Sequence, residues 1–193
     1  MNLFSKSLKL SALSLALPVS MLLASSSAMA FDTQDRATLE QQIKQISQST
    51  EDLNFDRVLS MMPPKVLAYF AQKTGLPVAS VKQMLAEQTK QVVADLAKDN
   101  MKISYMADLD HAKIHQSKLG HDYLIIPTEF DMMNDDTGME MTGTLLAIKD
   151  EGQWYLMRLD GQSHLDIIKD IYPDLTELSL FEPTVNYYEP GED

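Results

Sequence analysis

Close to residue 100 the apolar residues stop recurring every three or four positions and begin to alternate. This change of period restricts the chain to folds that build helices first and antiparallel strands second. Before it, Leu39, Ile43 and Ile46 form one stripe of a helix over 33–48. Asp32 or Thr33 is its N-cap, because a short side-chain oxygen there satisfies a free backbone N–H. Phe55, Val58, Leu59 and Met62 mark a short second helix over 54–61. Pro63 and Pro64 stop it, and Pro64 suits the first position of a third helix over 64–73, closed by Gly75. Val81, Met84, Leu85, Gln88, Val92 and Leu96 carry the helical period through a fourth, over 78–98.

After the switch, strands are predicted over 101–106, 112–116, 123–133, 139–148 and 154–159. The run from Asn134 to Gly138 is hairpin chemistry, and Lys149 to Gly152 supplies another turn. A short helix over 164–172 follows and ends at Pro173, and 175–181 reads as an edge strand. The class is α+β: N-terminal helices packed on a curved antiparallel sheet in a cone-like arrangement, with a short C-terminal helix.

The first thirty residues read as a secretory leader. Lys6 and Lys9 precede an apolar run over 10–23, and Ala28-Met29-Ala30 is a small-x-small cleavage site before Phe31. The expected organisation is a signal peptide over 1–30, one α+β domain over 31–181 and an extended tail over 182–193, in a periplasmic protein. The sequence has no Cys. That excludes disulfides and an acylated anchor at the cleavage site, and leaves stability to the core. No second apolar run approaches the roughly 20 residues that span a bilayer. A formal net charge of −12 opposes nucleic acid as a partner and favours, if any protein, a basic one.

No pattern calls for a cofactor: dinucleotide and phosphate-loop glycines are missing, as are a serine elbow and a zinc-binding histidine pair. His111 and His115 flank a predicted strand, where four residues span roughly 13 Å, too far to share an ion. The acidic residues around Asp135 fail calcium-loop spacing. With 134–138 as the loop, Met133 faces Met139 and Asp131 faces Met141. Three thioethers then share one hairpin face, a soft donor set for Cu(I), although methionine more commonly fills irregular cores. No metal is therefore expected. The same pairing sets Glu129 opposite Gly143, among Ile125, Leu145 and Ala147, where a carboxylate's pKa would rise.

The element order, the chain length and the Gly152-Gln153-Trp154-Tyr155-Leu156 strand start resemble the nuclear transport factor 2-like, cone-fold superfamily, in an uncharacterised exported bacterial branch. The chain departs from that plan by placing its helices before nearly all its strands and by adding a helix after the Trp154 strand. The resemblance implies a pocket with polar residues in an apolar wall, and it allows a homodimer through the open sheet face. The expected function is a non-catalytic periplasmic domain that binds a small apolar ligand or an envelope protein. Glu129, Met141, Trp154 and Arg158 are the pocket candidates, with Trp154 read chiefly as core. The alternatives are an enzyme with Glu129 as general base, or a periplasmic lipid carrier.

Overall fold

The structure is a computed structural model that describes residues 31–191; the expected leader and the last two residues of the tail lie outside the described residues. Four helices come first: α1 (Thr33–Glu51), α2 (Phe55–Ser60), α3 (Pro64–Thr74) and α4 (Val78–Lys98). Strands β1 (Lys102–Ala107), β2 (Lys113–Gln116), β3 (Asp122–Met133), β4 (Gly138–Asp150) and β5 (Gln153–Leu159) follow, then α5 (Gln162–Ile171) and β6 (Val185–Tyr188). The fold is α+β, with helices packed on a strongly curled antiparallel sheet.

The spine is the long β3–β4 hairpin, with strands of 12 and 13 residues. Its outer edges each carry two short strands: β1 and β2 pair along β3, while β5 and β6 pair along β4. Strands this long and this twisted curl rather than lie flat, which gives each face a concavity to fill. Alternation then divides the core. Leu124, Ile126, Leu145, Ala147, Trp154 and Leu156 face α1 through Leu39, Ile43 and Ile46. Tyr123, Ile125, Leu146 and Ile148 face Val66 of α3, Leu165 and Ile168 of α5, and the segment beyond it. Both faces are thus covered, because the central strand residues from both sets are fully buried.

The hairpin register differs from the expected one by a single residue. Asn134 Oδ1 accepts the N–H groups of Asp136 (3.0 Å) and Thr137 (2.9 Å), and the Asn134 N–H donates to the Thr137 carbonyl (2.9 Å). The loop closes on four residues, so Gly138 opens β4 opposite Met133. Met132 then faces Met139, Phe130 faces Met141 and Glu129 faces Thr142. Met133 lies on the opposite face from Met139 and Met141, which undoes the predicted thioether trio. Gly138 is not needed for a left-handed turn. A Cβ there would lie 2.2 Å from the Tyr188 ring, so glycine is needed for close approach. Gly138→Ala is expected to push the Tyr188 ring away and break its hydroxyl's 2.6 Å bond to Asp131. The readout is faster amide exchange at residues 185–188 with the β3–β4 core unchanged; unaltered exchange there would refute the contact.

The predicted edge strand over 175–181 is not a strand. Leu175 and Leu178, three apart, are both buried, and successive turn bonds run from Leu175 to Tyr172 and from Leu178 to Leu175. The strand lies later, inside the expected tail, as β6. Helix α1 runs about one turn beyond its predicted end to Glu51, with Asp52 as C-cap and Leu53 after it in a left-handed φ of 54°. The Asn54 N–H reaches back to the Ser49 carbonyl (2.6 Å), the six-residue closure that ends many helices.

Trp154 ties α1 to the sheet. Its indole N–H donates to Asp35 Oδ1 (2.8 Å), its carbonyl accepts from Gln42 (3.1 Å) and Phe31 packs edge-on against its ring. The Lys149 ammonium donates to both Asp35 oxygens, at 2.7 and 2.9 Å. Burial raises the Asp35 pKa, but the bonds from Lys149 and Trp154 and the Lys149 charge outweigh it and hold the carboxyl below its ordinary value. A depressed folded-state pKa contributes stability above the unfolded value, about 3.9, and loses it as pH falls through the folded value. Lys149→Met is therefore expected to raise the pH at which acid unfolds the protein, followed by circular dichroism. An unchanged acid midpoint would show that the pair contributes nothing.

Candidate functional site

Helix α2 carries three large apolar residues, Phe55, Val58 and Leu59, yet none of its residues is fully buried. Folded interiors are close-packed, so apolar side chains turned inward without full burial indicate unfilled space beneath them. That space is a cavity of about 380 Å³. Its roof is α2, with Leu85 of α4 behind it. Its floor is Tyr105, Phe130, Leu145, Leu156 and Arg158 of the sheet, and its sides include Ile46 and Thr50 of α1, Phe70 of α3, and His164 and Ile167 of α5.

The site lies at the β5 edge. An open strand edge invites pairing, and here the chain covers it locally: the Met61 carbonyl, just after α2, accepts the Leu156 N–H at 2.9 Å. Beyond that bond the α2–α4 layer stands off the sheet. Helix α4 buries only Val81 fully along its whole length. A smaller hollow of about 230 Å³ lies between α2 and α4 and shares Leu59 and Leu85 with the main cavity.

The walls are apolar apart from four groups. The Arg158 guanidinium lies over the Phe130 ring, 4.9 Å from its centre; its Nε pairs with Asp160, and Nη2 meets the Met141 thioether at 3.8 Å. Tyr105 is 6% exposed, and its hydroxyl has no hydrogen-bond partner among the described residues. Burial raises its pKa and keeps it a neutral donor. The Arg158 charge and the adjacent Thr128 hydroxyl, which does not meet it in bonding geometry, oppose the shift less strongly. His164 Nδ1 accepts the Asp160 N–H at 3.1 Å, which leaves the proton of a neutral ring on Nε2. Thr50 is buried at the end of α1.

Of the four residues singled out from sequence, Arg158 lines the cavity and Met141 touches its guanidinium. Trp154 is in the core under α1, 4% exposed, and is no part of the cavity wall. Glu129 is not enclosed by apolar neighbours as the predicted register implied. It is exposed, on the opposite sheet face, in a separate groove of about 250 Å³ with Thr142 and Glu182. The covered part of that face ends before it. Tyr105, Phe130 and His164 escaped notice because they come from β1, β3 and α5 and meet only through the curl of the sheet. The available signal was the pair of β-face positions Tyr105 and Phe130, which face one another across adjacent strands.

Among the described residues no cluster of three or more His, Asp or Glu side chains could hold a metal ion, and no helix is long and apolar enough to cross a membrane. Comparison with protein-family models, curated proteins and solved structures finds no match to this chain.

Proposed function

We propose that this chain is an exported, non-catalytic module that binds one small apolar molecule beneath α2. The cavity carries the reading: it is lined by all five helices and by β1, β3, β4 and β5, is almost wholly apolar, and falls within the roughly 300–1,000 Å³ of small-molecule sites. An engineered cavity of about 150 Å³ holds benzene, so about 380 Å³ admits a ligand of roughly fifteen non-hydrogen atoms. Two-chain phospholipids are much larger, which favours a single-chain or compact ligand over the bulk lipid carried by a shuttle. The leader-like first thirty residues support a periplasmic place of work, and the cone-like plan supports kinship with the nuclear transport factor 2-like group. The exposed position of Glu129 lends no support to its use as a general base.

Binding is tested by titrating lipid-stripped protein with N-phenyl-1-naphthylamine, a dye that brightens in apolar surroundings. The expected result is saturable enhancement at one dye per chain. A flat response at all concentrations would remove the reading.

A further inference from the structure

The cavity wall has a charge composition unlike the rest of the chain. The sequence carries 28 Asp and Glu against 16 Lys and Arg, yet no carboxylate lines the cavity and its one charged cationic side chain is Arg158. That guanidinium is only 28% exposed. Asp160 lies within ion-pair distance of Nε without meeting it in bonding geometry, and Nη2 has no better partner than a thioether at 3.8 Å. Arginine offers five donors in a planar fork that matches a carboxylate, and a partly buried fork with an idle terminal nitrogen is an unfilled acceptor site. The buried Tyr105 hydroxyl, unpartnered and on the same sheet face, adds a neutral donor to that wall.

We infer that the cavity takes a single-chain carboxylate, its apolar body under α2 and its head on the Arg158 fork. This rests on the reading that the cavity holds an apolar ligand, and adds the chemistry of the head. Chain length is bounded by the volume, and the head by the donor set: all four polar groups, Arg158, Tyr105, His164 and Thr50, can offer a donor. The Phe130 ring beneath the guanidinium holds it flat and limits its hydration, which strengthens its bond to an incoming anion. Asp160 balances the Arg158 charge from beside the cavity, so the arginine need not leave the wall to find a counter-ion.

The test compares dodecanoate with dodecanol, both below their aggregation concentrations, on the full folded protein by calorimetry at neutral pH. Dodecanoate is expected to bind at least about tenfold more tightly, the worth of one charge-assisted hydrogen bond pair. Arg158→Gln is expected to bring the ratio near one, and Arg158→Lys to restore part of it. Equal affinities for acid and alcohol on the parent protein would overturn the carboxylate assignment while leaving an apolar site intact. A preference that survives in Arg158→Gln would also overturn it. Binding of neither compound would overturn both the assignment and the reading beneath it.

Discussion

Trp154→Ala is expected to lower the free energy of unfolding by about 4 kcal/mol, the usual cost of emptying a buried tryptophan site. The ring is 4% exposed and packs on Phe31 and the first turns of α1, so little around it can collapse into the space. The change also takes one of the hydrogen bonds from Asp35 and leaves Lys149 to hold that carboxylate alone. Because Trp154 is the only tryptophan, its own fluorescence cannot report the variant, and urea unfolding is followed by far-ultraviolet circular dichroism. A domain of this size has a total stability of roughly 5–15 kcal/mol, so the variant is expected to remain folded with about 1–11 kcal/mol left. Trp154→Phe keeps most of the packing and isolates the lost donor, at about 1 kcal/mol. An unchanged urea midpoint in the alanine variant would contradict the docking of α1 described above.

The second large effect concerns ligand binding alone. Val58 lies mid-way along α2 and lines the cavity roof, and the space beneath has room for an indole. Val58→Trp is expected to lower N-phenyl-1-naphthylamine affinity by at least about tenfold, because the side chain takes the volume the dye would use. Stability should hold or rise, since filling an apolar void recovers contacts that the empty wall lacks. Undiminished dye affinity in a folded Val58→Trp protein would place the dye elsewhere on the surface.

Much of the architecture is legible in the sequence. The period of Val81, Met84, Leu85, Val92 and Leu96 sets α4 at 78–98, and the helix found has those bounds. The turn at Lys149 to Gly152 was readable because Glu151 and Gly152 take the left-handed conformations that a two-residue hairpin needs. The run from Asn134 to Gly138 identifies a turn but not its length. Glycine ordinarily signals a left-handed turn position, whereas Gly138 is required in extended form by the Tyr188 ring, a residue fifty positions away. β6 was hidden for a related reason. A polar tail with two tyrosines has no core face of its own and becomes a strand only where β4 offers an edge. The cavity was the least legible feature. Phe55, Val58 and Leu59 read as ordinary core residues, and nothing local says that the surface facing them stands too far away to fill the gap. Arg158 was identifiable as a cation among apolar strand residues, whereas the neighbours that give it a use come from three other elements.

The most direct test of a ligand site beneath α2 is an amide chemical-shift map of the isotopically labelled protein titrated with dodecanoate. Perturbations are expected to concentrate in residues 55–62 and around Tyr105, Phe130, Arg158 and His164, and to saturate together at one equivalent. Shifts centred on the β6 edge or the Glu129 groove, or no shifts at all, would contradict the account.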